Sequence, residues 1–299
     1  MVEKLYILHM FSPTPNASPF DINMAYDAGY DVVATYTNVT LDQITALTQD
    51  AIFSRGPSGV KRTGIFIGGR EIGMAADMMD GSRRSMVPPF EVSVFADPSG
   101  AFTTAAAMVA AVERELKRAH NTDLKGKCVA VLGGTGPVGT AASVLASDAG
   151  AKVRIASHSS VSRARMTSEV ANARYGARTE PAESGSPDKV ASLMGETEVV
   201  LACAKAGVQV LSEEQLKDAK KLLVAADVNA VPPTGIAGLD VHDSGKPIGG
   251  NRAVGIGALA VGDIKYQVQR KLFECMLDAE KPIYLDFRDA FAEARKHVG

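Results

Sequence analysis

Near the middle of this chain, a short apolar run leads directly into regularly spaced glycines. Residues 129–132 read Val-Ala-Val-Leu, and Gly-Gly-Thr-Gly-Pro-Val-Gly follows, so that Gly134, Gly136 and Gly139 have the spacing Gly-x-Gly-x-x-Gly. Alanine-rich sequence typical of a helix continues to Ala149. A strand, a glycine turn and a helix in this order are typical of dinucleotide-binding α/β domains.

Each glycine of this loop has a predicted physical role. Gly134 allows a tight turn, Gly136 lets the backbone approach a pyrophosphate, and Gly139 lets the helix pack on the strand. The free N–H groups and positive dipole end of the helix favour phosphate there. The alternative is a tight glycine turn that binds no ligand. The predicted nucleotide contacts in the loop are Gly134, Thr135, Gly136, Pro137, Val138 and Gly139.

The remaining sequence alternates apolar, strand-like runs with helical patterns, which indicates parallel strands joined by crossover helices. Before the glycine loop, strands are predicted at residues 4–10, 31–36, 63–67 and 90–96. After residue 126 they are predicted at 127–132, 152–157, 198–203 and 222–226. The predicted fold class is α/β with two domains, and two C-terminal helices pack back on the first domain. The predicted domains are a parallel α/β substrate domain (1–124), a Rossmann-like NAD(P)-binding domain (125–262) and the returning helices (263–299).

Composition excludes several classes of function. The net charge is −2, and basic residues interleaved with aromatics are absent, so a nucleic-acid partner is not expected. Three distant cysteines fit a reduced, cytoplasmic protein, and five scattered histidines lack metal-site spacing, so no metal is predicted. No apolar stretch approaches the length of a membrane span, so no membrane partner is expected.

The end of the second strand of the nucleotide domain bears on cofactor choice. An acid there would bind the ribose 2′-hydroxyl of NAD, but the sequence reads Ser157-His158-Ser159, with Arg163 shortly after. Hydroxyl, imidazole and guanidinium groups can receive a 2′-phosphate. This pattern favours NADP and leaves tolerance of NAD open. Three further residues are assigned to the nucleotide site, namely Ala204, Asn229 and Gly257.

Several longer segments carry a family likeness. They read SPFD from Ser18, DAIFSR from Asp50, TGIFIGG from Thr63 and FADPSGAFTT from Phe95, then ADVNAVPP from Ala226 and GIGALAVGDIKY from Gly255. With the glycine loop they span essentially the whole chain. The chain resembles the NAD(P)-dependent methylene-tetrahydromethanopterin dehydrogenases of methylotrophic bacteria, which are similar in fold to methylene-tetrahydrofolate dehydrogenases. The resemblance implies a homo-oligomer built from trimers.

The resemblance also implies the reaction, a step of one-carbon (formaldehyde) oxidation. Hydride leaves a methylene carbon that bridges two nitrogens of the reduced pterin, and NADP or NAD accepts it as a diffusible cosubstrate. The methenyl product is a cation delocalised over both nitrogens, so a general base is not required. Alignment of the reactants and exclusion of water then become the main tasks of an interdomain cleft.

The resemblance implies four substrate-site residues, and a fifth is assigned from its position in the sequence. Phe20 corresponds to an aromatic that packs on the pterin, and Thr104 to a hydroxyl that aligns pterin or nicotinamide. Lys265 corresponds to a lysine of the family. A cation that faces the developing cation would oppose the reaction, so Lys265 is interpreted as a donor to the pterin carbonyl. Gln269 stands where some relatives have histidine, which leaves hydrogen bonding. Asp97 follows a strand and is assigned to the pterin amide edge, with turn formation as the alternative.

Two other functions remain open at this point. One is a methylene-tetrahydrofolate dehydrogenase, although the lysine, tyrosine and glutamine set of its bifunctional forms is not evident in the first domain. The other is a non-catalytic protein that senses NADP. In that protein, Phe20, Thr104 and Lys265 would not converge on the nicotinamide.

Overall fold

The computed structural model describes residues 4–299, and its elements alternate between strand and helix. The first half contains β1 (Ile7–Phe11), α1 (Pro19–Ala28), β2 (Val32–Tyr36), α2 (Ile44–Phe53), α3 (Gly56–Val60), β3 (Thr63–Ile67), α4 (Ile72–Arg84), β4 (Ser93–Ala96), α5 (Ala101–His120), β5 (Cys128–Leu132) and α6 (Pro137–Asp148). The second half contains β6 (Lys152–Ser157), α7 (Val161–Tyr175), β7 (Thr179–Glu183), α8 (Pro187–Met194), β8 (Val199–Ala202), α9 (Glu213–Asp218), β9 (Val224–Asp227), β10 (Ser244–Pro247), β11 (Val254–Ile256), α10 (Ala258–Asp278), β12 (Tyr284–Leu285) and α11 (Phe287–Val298).

The chain divides into two compact units. The first unit comprises the described residues up to Thr103 together with Tyr266–Glu293. The second unit comprises Thr104–Lys265 and Ala294–Gly299. The predicted α/β class with mainly parallel sheets is confirmed. Of the C-terminal segment, Tyr266–Glu293 belongs to the first unit. The predicted domain bounds at 124 and 262 stay a prediction.

The sheet of the first unit is parallel throughout, with strand order β12-β4-β3-β1-β2. All five residues of β3 are buried, which explains their unbroken apolar character. Phe273 of α10 packs against Phe66 and Phe95, with ring centroids 5.3 and 5.2 Å apart. These contacts fix the C-terminal half of α10 in the core of the first unit.

Local signals in the sequence account for the helix ends of the first unit. The Ser18 hydroxyl accepts a hydrogen bond from the Asp21 backbone N–H, and Gly29 ends α1 in the left-handed region with φ of 112°. Thr40 and Gln43 form a capping box. It opens a 3-10 turn at Leu41–Gln43, and the regular helix begins only at Ile44.

The sheet of the second unit has the order β10-β11-β9-β8-β5-β6-β7, in which β10 alone is antiparallel to its neighbour. Its parallel part matches the strand order of the Rossmann fold, in which the order reverses next to the first strand, here β5. The strands β5, β8 and β9 are buried over nearly their whole length.

Some elements differ from those predicted. Strand β7 was not predicted, because its sequence Thr-Glu-Pro-Ala-Glu has the proline and charge of an edge strand. The short strands β10, β11 and β12 were also missed. Helix α10 begins at Ala258 rather than near Asp263, since Ala258–Val261 are good helix formers and Gly262 is accommodated inside the helix.

Candidate functional site

The second unit contains a pocket of about 940 Å³ at the switch point of its sheet. Residues that come after β5 in the chain form one wall, and residues that come after β8 form the opposite wall. The strand order of the sheet reverses between these two strands. Ligands of open α/β sheets bind outside the carboxyl ends of strands at such a point. We call it the β5/β8 pocket.

The glycine loop forms one wall of the β5/β8 pocket. Glycine is needed at different positions of this loop for different physical reasons. A Cβ atom on Gly134 would lie 2.8 Å from the Val131 carbonyl oxygen, and one on Gly139 would lie 2.6 Å from the Gly134 Cα. A Cβ atom on Gly136 would meet no protein atom closer than 3.6 Å. Packing therefore explains Gly134 and Gly139, whereas at Gly136 the missing side chain opens the backbone to the pocket.

The start of α6 suits an anion. Gly136 is the N-cap in extended conformation, Pro137 occupies the first turn, and no side chain in the described part of the chain caps this helix. The first N–H groups of a helix have no intrahelical acceptor, and the dipole makes this end positive. The β5/β8 pocket therefore presents backbone donors where a pyrophosphate would lie.

A second group of polar residues lies at the end of β6. His158 and Arg163 line the β5/β8 pocket, together with Ser184 and Ser186 from the loop after β7. Ser157 is buried, and its hydroxyl accepts hydrogen bonds from the backbone N–H groups of Ser159 and Ser160 at 3.3 and 3.4 Å. Ser157 and Ser159 thus shape the turn that presents His158.

The predicted nucleotide residues fall into two groups. Those that line the β5/β8 pocket are Thr135, Gly136, Pro137, Val138, His158, Arg163 and Ala204. Those that do not line it are Gly134, Gly139, Ser157, Ser159, Asn229 and Gly257. The nucleotide role of every residue in both groups stays a prediction.

The side chain of Asn229 connects two loops by hydrogen bonds. Its Oδ1 accepts from the Gly207 and Val231 N–H groups at 3.1 and 2.9 Å, and its Nδ2 donates to the Pro233 carbonyl at 2.9 Å. Through Gly207 it supports the loop after β8, whose residues Lys205 and Val208 line the β5/β8 pocket.

Asp227 and Gly257 also have structural roles. Asp227 accepts from the Asn229 and Ile236 N–H groups, and burial raises the pKa of its carboxyl while these bonds lower it. A Cβ atom on Gly257 would overlap the backbone of Asp240 and Val241, and the Gly257 N–H donates to the Asp243 carbonyl at 2.8 Å. Gly257 is therefore required for close backbone packing.

The sequence predictions missed several segments that line the β5/β8 pocket. These are residues 184–187 after β7, Lys205 and residues 208–212 after β8, and Glu214 and Gln215 of α9. These segments follow strands of the parallel sheet, which is the one signal that points to them. Their composition resembles that of ordinary surface turns, so the sequence alone did not separate them from other loops.

The first unit contains its own pocket, of about 580 Å³, at the reversal of strand order between β1 and β3. We call it the β1/β3 pocket. The residues after β1 that line it include Ser12, Thr14 and Ser18, and those after β3 include Gly69 and Arg70. Its lining mixes polar and apolar residues, and it lies at the carboxyl edge of a parallel sheet, where a second ligand is expected.

Three predicted substrate-site residues lie in the first unit. Phe20 in the first turn of α1 is 45% exposed, which is unusual for so large an apolar side chain. Gln269 of α10 is fully buried. Asp97 is fully buried as well, and its Oδ1 accepts from the Phe102 and Thr103 N–H groups at 2.9 and 3.2 Å.

Asp97 therefore acts as a cap for the start of α5. Its Oδ2 accepts from the Thr103 hydroxyl at 2.6 Å, which completes the arrangement. The other two predicted residues, Thr104 and Lys265, belong to the second unit, and each is partly buried. The substrate-binding roles of all five residues stay predictions.

In residues 4–299, no group of three or more His, Cys, Asp or Glu side chains could hold a metal ion. None of the helices in the same range combines the length and apolar character needed to cross a membrane.

Solved structures define the class of fold. The chain is similar to shikimate 5-dehydrogenase from Listeria monocytogenes, with a TM-score of 0.56, 15% identity and 93% of each chain covered. It is also similar to 5-ketofructose reductase of Gluconobacter sp. strain CHM43, with a TM-score of 0.54, 16% identity, and 98% and 99% of the chains covered. At these identities the similarity concerns the fold, which is that of two-domain α/β proteins with a Rossmann-like sheet.

Sequence relatives define the family. Residues 19–99 match the model of the N-terminal part of methylene-tetrahydromethanopterin dehydrogenase. The chain is 46% identical to the NAD(P)-dependent methylenetetrahydromethanopterin dehydrogenase of Methylorubrum extorquens, over 98% of this chain and 99% of that one. It is 33% identical to the bifunctional protein MdtA of the same organism, over 92% and 96%. The chain belongs to the family of NAD(P)-dependent methylenetetrahydromethanopterin dehydrogenases, and the predicted resemblance is confirmed.

Proposed function

We propose that this protein oxidises methylenetetrahydromethanopterin to the methenyl form and transfers the hydride to NAD(P), as a step of one-carbon oxidation. The observation that carries the proposal is the 46% identity to a dehydrogenase of this name over nearly the full length of both chains. The β5/β8 pocket, with its open glycine loop, supports the nucleotide half of the reaction.

The chemistry places modest demands on the protein. Bound NAD(P) supplies the hydride acceptor, and the two nitrogens beside the methylene carbon share the positive charge of the product. The side chains therefore need to bind, align and exclude water rather than move a proton. A sequence without an evident acid–base pair is compatible with such a reaction.

We assign the nucleotide contacts within the β5/β8 pocket. Backbone N–H groups at the start of α6 bind the pyrophosphate, and Gly136 permits the close approach. His158 and Arg163 receive the 2′-phosphate, because both line the pocket and the end of β6 carries no carboxylate. This arrangement favours NADP and still admits NAD.

On the substrate side, the exposed ring of Phe20 packs against the reduced pterin. Thr104 donates to pterin or nicotinamide, and Lys265 donates to the pterin carbonyl. Gln269 contributes hydrogen bonding where some relatives have histidine. These assignments follow the family resemblance residue by residue.

We further propose a cytoplasmic homo-oligomer built from trimers. Support for association comes from exposed apolar side chains in the first unit, where Phe53 and Val87 are 52% and 51% exposed. Support for a reducing compartment comes from the free thiols of Cys128 and Cys203.

A steady-state assay tests the proposed function. Purified protein is offered methylenetetrahydromethanopterin or methylenetetrahydrofolate, each with NADP or NAD, while absorbance of the reduced nicotinamide is recorded. We expect the highest kcat/KM with the methanopterin substrate and NADP. Preference for the folate substrate would support a methylene-tetrahydrofolate dehydrogenase, and nucleotide binding without turnover of either pterin would support a non-catalytic sensor.

A further inference from the structure

The two sheets end in the edge strands β2, β12, β7 and β10, and the edge at β7 is closed to further pairing. Alternate residues of a strand turn their backbone groups outward, which in β7 are residues 179, 181 and 183. Asn172 bonds the Thr179 N–H and carbonyl at 2.9 and 3.0 Å, Pro181 has no N–H, and Glu183 carries a charge. Proline and charge keep another strand from adding to a sheet edge.

The edges at β10 and β12 are protected in other ways. Strand β10 contains Lys246 and Pro247, its register with β11 is irregular, and the Gly245 carbonyl accepts from the Arg118 guanidinium at 3.3 Å. Strand β12 has only two residues. Very short strands and bulges discourage pairing as proline and charge do.

The edge at β2 has none of these features. Its sequence, Val-Val-Ala-Thr-Tyr, has five residues without proline or charge, and each of them is at least partly exposed. β-Branched and aromatic residues of this kind favour strand pairing. A strand of this length and apolar character is a template for another strand unless something covers it.

Hydrogen bonds to the first strand show which residues of β2 face outward. The Val32 N–H donates to the Tyr6 carbonyl at 3.1 Å, and the Tyr36 carbonyl accepts from the Ser12 N–H at 2.9 Å. Residues 32, 34 and 36 therefore face β1, and residues 33 and 35 face away from it. The two N–H and two carbonyl groups that face away have no hydrogen-bond partner within residues 4–299.

We propose that β2 pairs antiparallel with β2 of a second copy of this chain, across a twofold axis between the two Ala34 residues. This inference does not depend on the proposed catalytic activity. In this register Val33 and Thr35 exchange hydrogen bonds with Thr35 and Val33 of the second copy, so that all four outward groups are used. The donors and acceptors of this edge complement themselves, as a twofold interface requires.

The side chains of β2 fit the same register. The pair on the axis is not hydrogen-bonded to itself, so its Cα atoms approach to about 4.5 Å, and the small Ala34 occupies this position in both copies. Val32 lies opposite Tyr36, a β-branched and aromatic pair that stabilises antiparallel strands. The charge nearest to the strand, Asp31, lies at opposite ends of the pair, so like charges stay apart.

A cysteine on the proposed axis tests the register. In Ala34→Cys the two thiols face each other at a separation that a disulfide accepts, so mild oxidation should give a covalent pair on a non-reducing gel. Thr37→Cys is the matched control, because its two copies would lie about 20 Å apart, beyond the reach of a disulfide. Absence of the covalent pair in Ala34→Cys, or equal yields from both variants, would overturn the inference.

The mass of the whole protein, measured by sedimentation, tests the contact itself. Thr35→Pro removes one outward N–H and keeps the bonds to β1, so it should halve the mass of the assembly. If the proposed trimers form, hexamers become trimers. Thr35→Val keeps the N–H and should leave the mass unchanged. An odd number of copies in the wild type, or an unchanged mass in a Thr35→Pro protein that melts and binds NADP normally, contradicts the pairing.

Hydrogen exchange of the wild type needs no folded variant. The amides of Val33 and Thr35 should exchange at least about tenfold more slowly than that of Glu183, because a paired edge opens less often than a free one. Glu183 faces outward at the β7 edge, and its N–H has no hydrogen-bond partner in the described part of the chain. Exchange of the Val33 and Thr35 amides as fast as that of Glu183 would show that the β2 edge is open and would refute the proposal.

Discussion

Gly139 packs so closely on Gly134 that a Cβ atom added to it would lie 2.6 Å from the Gly134 Cα. Helix α6 and the turn after β5 therefore touch backbone to backbone. Gly139→Ala should lower the free energy of unfolding by about 1–3 kcal/mol, the usual cost of an overpacked site. Chemical denaturation of the protein without ligand measures this loss.

Gly136→Val should weaken nucleotide binding and leave the stability of the fold almost unchanged. The backbone of Gly136 is extended, with φ of −84° and ψ of 170°, and a side chain there would meet the pocket rather than the protein. We expect an almost unchanged unfolding free energy and a KM for NADP raised by about tenfold or more, which is at least 1.4 kcal/mol of lost binding. Unchanged nucleotide affinity in the folded variant would remove this loop from the nucleotide site.

The comparison of these glycines shows how far the sequence could predict the site. The pattern located the loop and the roles of Gly134, Gly136 and Gly139 by analogy with a known motif. It predicted close packing at Gly139 and open backbone at Gly136, but not how tight each approach is, since that depends on Val131 and on the distance between turn and helix. Three-dimensional spacing decides this point, and the linear pattern does not contain it.

Arg163→Ala tests the choice of nucleotide. Arg163 lines the β5/β8 pocket, whereas Arg165, two residues further along α7, does not. Loss of a charge-assisted contact to the 2′-phosphate should weaken NADP by about 1–3 kcal/mol and leave NAD nearly unchanged. Arg165→Ala is the matched control. If the ratio of kcat/KM for NADP and NAD is the same in both variants and the wild type, the 2′-phosphate lies elsewhere.

Lys265→Ala tests the substrate side. We expect kcat/KM for the pterin to fall by roughly two orders of magnitude, the scale for loss of one well-placed polar group. Binding of NADPH, followed by fluorescence titration, should change little, because the lysine is proposed to serve the pterin. Lys271→Ala is a control on the same helix, at an exposed lysine paired with Glu274 at 3.2 Å. Near-normal turnover of Lys265→Ala would leave this residue without a role in the reaction.

The pH dependence of stability should involve His9. Burial lowers the pKa of His9 below its ordinary value of 6.5, and the positive charge of Arg55 lowers it further. Below pH 6.5 the unfolded chain therefore binds more protons at this residue than the folded protein, so stability falls as pH decreases through this range. His9→Gln should flatten the dependence, measured by denaturation between about pH 5 and 7. His242→Gln, at an exposed histidine, should leave it unchanged, and an equal slope in wild type and His9→Gln would contradict the assignment.

Contacts between distant parts of the chain were beyond the sequence. Asp21 lies in the first turn of α1, and nothing in the sequence around it indicates its contact with Gln269, 248 residues away. Closer in sequence, Asp97 was assigned to the substrate because it follows a strand, which did not reveal that it accepts a hydrogen bond from the Thr103 hydroxyl; its substrate role stays a prediction. Periodicity and capping patterns report local conformation, whereas the partner of a buried side chain depends on how helices pack on the sheet.

The most direct test of the central claim follows the hydride itself. The purified protein is given NADP and methylenetetrahydromethanopterin in which deuterium replaces both hydrogens of the methylene carbon. The reduced nucleotide is then analysed by mass spectrometry. We predict that methenyl product and NADPH form in equal amounts, with one deuterium on each NADPH. Formation of methenyl product without deuterium in the nucleotide, or tight NADP binding with no reduced nucleotide from either methylene pterin, would contradict the account.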